Sequence, residues 1–201
     1  MKHEFTHIYD QNIWNGSGHG SRPEVTQTYR SYLQSFLTAQ CITSVADLGC
    51  GDWSFSKLIN WENVQYHGYD VVDQVIRKNT KRYKKSSISF SQLDISTCAV
   101  LPTADLAILK DVLQHWSNQD IINFLPKLNS YKHVLITNSI VGMQDKVDIA
   151  VGDVRNLDIT KPPFNLVATH VLTFYGSLLD NGEGLDWKCT THYQPPQKAV
   201  A

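Results

Sequence analysis

Three acidic residues each close an apolar run: Asp47 in "SVADLGCGDWS", Asp70 in "VQYHGYD" and Asp94 in "SQLDIS". A carboxylate ending a strand stands where an open α/β sheet binds its ligand. There it accepts hydrogen bonds from hydroxyl or amino groups, or pairs with a cation. Gly49 and Gly51 follow the first acid and let the backbone approach a ligand where a Cβ would collide. Asp70 lies about 20 residues beyond that turn, the spacing at which a second-strand acid accepts ribose hydroxyls. Asp94 adds an acceptor for an adenine amino group, with Ile95 placed against the ring. The three acids together describe a nucleoside site. A pyrophosphate-binding turn fits less well, because Ser54 replaces the third glycine of G-x-G-x-x-G and Asp47 would repel a pyrophosphate.

A second group of reactive side chains sits in "LKDVLQHW": Lys110, Asp111, Gln114 and His115. An imidazole with a pKa near neutrality suits removal of a proton, so His115 is the candidate general base; the opposing reading is a structural histidine bonded to nearby backbone. Asn138, closing "LITN", either orients a substrate or caps the strand. Arg155, in the polar segment "GDVRNLDITKPPFN", faces an anionic substrate or belongs to a surface loop, and "KPPFN" reads as a rigid loop.

These residues need a frame that brings strand ends together. Short apolar runs alternate with helical patterns. "SVADLG", "VQYHGYD", "ISFSQLD", "ADLAILKD" and "YKHVLITNSI" read as strands; "SFSKLIN", "VVDQVIRKNTKRY" and "SNQDIINFLPKLN" read as helices. That alternation implies parallel pairing through crossovers, an α/β, doubly wound sheet. Near the C-terminus "FNLVATHVLTFYG" and "LDWKCTTHYQ" are separated by a link too short for a helical crossover, which predicts an antiparallel hairpin at the sheet edge. Residues 1–22, rich in Gly, Ser, Asn and His, read as a flexible arm and possible lid bearing Trp14 and His19; alternatively, its glycines form a disordered tip and Trp14 fills the core. An amphipathic helix follows, with Val25, Tyr29, Leu33, Phe36 and Leu37 at helical spacing and Pro23 in its first turn. Residues 23–201 form a single domain in this reading.

The order of these motifs resembles the class I S-adenosylmethionine-dependent methyltransferases. The likeness rests on Asp47-Leu48-Gly49-Cys50-Gly51, Asp70, Asp94-Ile95 and "ADLAILKDVLQHW", and runs from about Val25 to Tyr193. It implies a mostly parallel seven-stranded sheet with helices on both faces, and S-adenosylmethionine as cofactor. It places Trp14, Asp47, Gly49, Cys50, Gly51, Asp70, Asp94, Ile95 and Lys110 around that cofactor, with His115 and Asp111 as the catalytic pair. In the family's D/E-x-G-x-G-x-G the third glycine is Trp53 here, which raises the question of how the methionine end is enclosed.

Composition narrows the partners. The 201 residues carry a formal net charge of −1, which supplies no global field toward nucleic acid or an anionic membrane. The one basic run, Arg77 to Lys85, reads as a solvated helix face or, alternatively, a phosphate grip. The four cysteines are too scattered for a disulfide framework or a metal cluster, and no apolar stretch approaches the length of a membrane span. The expectation is a cytoplasmic monomer or homodimer, without metal, membrane or nucleic-acid partner, that methylates an oxygen or nitrogen of a small molecule. Alternatives are a protein or peptide methyltransferase and a non-catalytic cofactor-binding module. Trp14, Tyr29, Trp116, Phe174 and Tyr175 are candidate walls of the substrate pocket, or core.

Overall fold

Seven strands form one sheet in the computed structural model, which describes residues 1–140, 148–178 and 185–196. They are β1 (Ser44–Leu48), β2 (Gln65–Asp70), β3 (Ile88–Gln92), β4 (Leu106–Lys110), β5 (His133–Ser139), β6 (Thr169–Leu178) and β7 (Leu185–Tyr193), ordered β3-β2-β1-β4-β5-β7-β6. Strands β1 to β5 pair in parallel, and β7 runs antiparallel between β5 and β6. The α/β doubly wound sheet and its terminal hairpin are therefore as the sequence implies; most of the hairpin link falls outside the described residues.

Period-two alternation sorts the central strands onto two cores. Val45, Leu106, Ile108 and Leu135 pack under α2 (Gln27–Ala39), whose Tyr29, Leu33, Phe36 and Leu37 form one buried stripe. Ala46, Ala107, Leu109, Val134 and Ile136 face the other way, toward Ile121 and Phe124 of α4 (Asn118–Phe124). Both faces being covered explains why these strands read as nearly continuous apolar runs. Ser117 caps α4 by accepting from the Asp120 N–H, and Pro126 stands just past its end, where the chain tightens into a 3-10 turn. Among the described residues no helix is long and apolar enough to cross a membrane.

Three local expectations change. Residues 1–22 open with a helix, α1 (Lys2–Asp10), and include a 3-10 turn over His19–Ser21. Pro23 lies in a turn before α2, not in its first helical turn. The segment "SFSKLIN" contains only the 3-10 turn Ser56–Leu58. Just before it, Trp53 holds φ at +60°, a left-handed conformation that places it outside any helix.

Trp53 also answers the question its position raises. It keeps the backbone conformation a glycine would provide, while its ring turns into the core against Tyr66, Tyr83 and Phe90, with centroids 5.6, 4.8 and 5.4 Å away. The bulk of the side chain thus leaves the ligand edge open, and burial offsets the left-handed backbone. Trp53→Ala should lower the free energy of unfolding by about 3–5 kcal/mol, the scale for emptying a buried aromatic site; urea denaturation measures it.

Candidate active site

Strand order reverses between β1 and β4, and the crevice opens outside their C-terminal ends. A cavity lies there, with about 850 Å³ of empty space when the open solvent at its mouth is counted. Its floor is the turn after β1, where Gly49 and Gly51 have φ of +96° and +54°. A Cβ on Gly49 would lie 2.5 Å from Val112 Cγ2, so glycine is needed for the turn to fit beneath the β4 loop. The N–H groups of Gly49 and Cys50 both donate to the Tyr69 carbonyl, at 2.8 and 2.9 Å. From α3 (Asp73–Tyr83), the buried Asn79 amide donates to the Gly51 carbonyl at 2.7 Å.

Asp70, at the end of β2, braces the same turn: one carboxylate oxygen accepts from the Gly51 N–H and the other from the Val72 N–H, both at 3.0 Å. Burial raises its pKa, and those backbone donors oppose the rise. Beside it, Val71, Leu93 and Ile95 give the cavity an apolar wall, with Asp94 at its edge. Asp47 is buried and accepts from the Tyr66 hydroxyl at 2.6 Å. Burial pushes its pKa up to about 7, against the hydrogen bond from Tyr66.

The β4 end carries a different electrostatic arrangement. Lys110 donates to the Gly20 carbonyl at 2.7 Å and pairs with Asp111, whose backbone is left-handed at φ +56°. The other Asp111 oxygen lies 2.9 Å from Lys188 Nζ, and Lys188 also pairs with Asp186 at 3.1 Å. Burial alone would raise Asp111, but the two ammonium groups outweigh it and hold its carboxyl below the usual range. Both oxygens of Asp111 are thus committed to ion pairs.

His115 lines the cavity. Its Nδ1–H donates to the Asp153 carbonyl at 2.9 Å, a bond that assigns the tautomer and leaves Nε2 unprotonated, 3.5 Å from the Gln114 amide nitrogen. Burial drives its pKa down to about 4, so the ring is neutral across the physiological range. Trp14 lies over His115 with centroids 4.6 Å apart, and Phe5 of α1 meets both rings edge-on.

The N-terminal arm closes over this cavity. Ser17 Oγ accepts from the Asp52 N–H at 2.7 Å and bonds the Tyr9 hydroxyl at 2.7 Å, while the Ser17 N–H donates to the Asp52 carboxylate at 3.3 Å. Ser54 Oγ donates to the Ser21 carbonyl at 2.7 Å. Phe5, Tyr9, Ser17 and Ser21 therefore line the site, although none was singled out from sequence. The apolar residues Phe5, Ile8 and Tyr9 at helical spacing were the signal that could have found two of them.

All the expected site residues, Trp14, Asp47, Gly49, Cys50, Gly51, Asp70, Asp94, Ile95, Lys110, Asp111 and His115, border one cavity, as does Trp116. Other candidates do not. Tyr29 and Phe174 pack together in the core, and Tyr175 is exposed on the hairpin. Asn138 is buried away from the cavity. Arg155 is turned into the protein: its guanidinium donates to the Asn118 side chain at 2.6 Å and the Trp116 carbonyl at 2.8 Å and pairs with Asp148 at 3.6 Å, tying the loop after β5 to α4.

A family model described as the O-methyltransferase domain matches residues 18–154, more than half of the chain. The chain belongs to this family. With it, the protein stands among the class I S-adenosylmethionine-dependent methyltransferases. No curated protein matches it. Among solved structures, its fold is similar to that of the N-methyltransferase NodS from Bradyrhizobium japonicum WM9 bound to S-adenosylhomocysteine. That likeness has TM-score 0.64 and 15% identity, covering 88% of this chain and 89% of that one. Magnesium protoporphyrin IX methyltransferase from Synechocystis PCC 6803 with bound S-adenosylhomocysteine is similar at TM-score 0.57 and 13% identity, over 84% and 83% of the two chains. The methyltransferase domain of bacterial CtHen1 is similar at TM-score 0.58 and 15% identity, over 86% of this chain and all of that one. At these identities the likeness is one of fold.

This methyltransferase carries a pH-dependent cost in its floor. Because burial lifts the folded pKa of Asp47 above the ordinary carboxylate value of 3.8, the stability conferred by the neutral carboxyl is present below about pH 4 and is lost as pH rises through about 7. Asp47→Asn should remove that slope, so that the variant gains on the parent between pH 5 and pH 8 in urea unfolding of the cofactor-free protein.

Proposed function

We propose that this methyltransferase transfers a methyl group to an oxygen or nitrogen of a small-molecule acceptor, with oxygen favoured by the family model that matches. The observation that carries the reading is His115, a neutral imidazole on the cavity wall whose proton is held on Nδ1 by the Asp153 carbonyl. The arm favours a small acceptor over a protein chain, because Phe5, Tyr9, Trp14 and Ser17 enclose the cavity.

The residues present fit the cofactor. The cavity pairs a buried carboxylate, Asp70, with the apolar wall of Val71, Leu93 and Ile95, as a ribose and adenine require. In this reading Asp94 takes the adenine amino group, Gly49, Cys50 and Gly51 leave room for the chain beyond the ribose, and Lys110 attends the methionine carboxylate. Asp47, half-ionised near pH 7, offers negative charge to the cationic end. When bound, S-adenosylmethionine supplies a methyl group on a positively charged sulfur. The protein's part is to align the acceptor and to exclude water, with the arm as lid. His115 then holds the acceptor proton at Nε2. Its low pKa is sufficient, because a hydroxyl becomes strongly acidic as its oxygen is alkylated and loses its proton to a weak base. Asp111 acts in the same reading as an electrostatic anchor.

His115→Ala should leave cofactor affinity nearly unchanged and lower kcat by roughly 10²- to 10⁴-fold in a methyl-transfer assay over candidate hydroxyl and amine acceptors. An unchanged rate returns His115 to a structural role, and binding without turnover on any acceptor favours a non-catalytic module. Asp70→Ala should weaken S-adenosylhomocysteine binding by about 1–3 kcal/mol in calorimetric titration; unaltered affinity would remove the ribose from this position.

A further inference from the structure

We propose that Lys188, on β7, is a positioning residue that sets how firmly the N-terminal arm closes, acting through Asp111 and Lys110 on the carbonyl of Gly20. The inference rests on the reading of the arm as a lid and names the joint that holds it. Four charged side chains meet beneath the arm. Lys110, Asp111, Lys188 and Asp186 have side chains only 3%, 10%, 4% and 13% exposed. Two cations and two anions leave the group neutral overall, and its contacts form a line: Asp186 to Lys188, Lys188 to Asp111, Asp111 to Lys110, and Lys110 to the Gly20 carbonyl. Ser139 on β5 fixes the middle, accepting from Lys188 Nζ at 2.6 Å.

The charge balance gives Lys188 its leverage. With both lysines in place, Asp111 is neutralised from two sides, and the Lys110 ammonium retains donor strength for the arm. Without Lys188, the Asp111 carboxylate draws on Lys110 alone, losing one of its two ion pairs, and Asp186 loses its pairing with Lys188. The arm fits closely on this group: a Cβ on Gly20 would stand 2.7 Å from Asp111 Oδ2 and 3.3 Å from Lys188 Cε. Nothing larger than glycine passes over the joint without moving it. Two further anchors of the arm, Ser17 on Asp52 and Ser21 on Ser54, lie on the turn after β1, whereas this one ties the arm to the hairpin side of the sheet.

The test follows the arm and the cofactor separately, by hydrogen–deuterium exchange of residues 14–22 and by titration with S-adenosylhomocysteine. In Lys188→Met, arm exchange should quicken about tenfold while exchange in β1, β4 and β5 stays as in the parent. The dissociation constant for S-adenosylhomocysteine should rise about tenfold, the scale of a lost hydrogen bond to a charged group, and Lys188→Arg should restore most of both. Gly20→Ala attacks the same joint from the arm, so it serves if Lys188→Met does not fold; a quickened arm over an unchanged sheet is again expected. Parent-like arm exchange and affinity in folded Lys188→Met, or in Gly20→Ala if that variant alone folds, overturns the proposal. If saturating S-adenosylhomocysteine fails to slow arm exchange in the parent, the lid reading fails instead.

Discussion

The reversal of strand order between β1 and β4 is the constraint on which the rest of this structure depends. Helices cover both faces of a parallel sheet, so only the strand ends remain for a ligand. Where neighbouring connections depart in opposite directions, no crossover covers those ends. The residues that carry chemistry accordingly hang from four strand ends: Asp47 from β1, Asp70 from β2, Asp94 just past β3, and Lys110 to His115 from β4. The apolar alternation that builds the two cores also fixes which side each of these residues leaves on.

Burial then gives similar groups different electrostatic characters. Asp47 and Asp111 are both enclosed carboxylates at strand ends. Asp47 has a single neutral donor and is pushed up toward pH 7, whereas Asp111 lies between two ammonium groups and stays ionised. At Asp47 desolvation outweighs both the Tyr66 hydrogen bond and the Lys110 charge, whereas at Asp111 it is outweighed by two directly paired ammonium groups. His115 belongs with the first kind: its ring is bonded to a backbone carbonyl and packed under Trp14, which keeps it neutral.

The arm completes the site with parts that have no reactive side chain. The Ser17 hydroxyl, the Gly20 carbonyl and the Ser21 carbonyl each meet a group on the sheet's ligand edge. Such contacts are short and directional, so they depend on backbone placement more than on residue type. The Trp53 backbone belongs to the same economy: a left-handed residue ends the β1 turn without a long helix, leaving Asp52 and Ser54 free to receive the arm.

The sequence by itself determined the sheet, its antiparallel hairpin and the set of strand-end residues that border the cavity, because each rests on local patterns. Alternating apolar positions mark buried strands, and an acid or a glycine at a strand end takes its meaning from the strand it follows. Tertiary structure alone decided the pairings that join distant segments. Lys110 meets a carbonyl 90 residues earlier, and Lys188 reaches Asp111 across β5. Those contacts leave no periodic trace, so spacing along the chain does not show that Asp111 stands between two lysines, nor does it choose for Arg155 between an anionic substrate and a loop, where it ties that loop to α4. Trp53 was visible as a departure from a glycine pattern, but the direction of its ring was settled only by the aromatic core that Tyr66, Tyr83 and Phe90 form around it. The reason is common to all three: spacing along the chain records which face a residue occupies, whereas partners from other strands determine what its charge or bulk can do there.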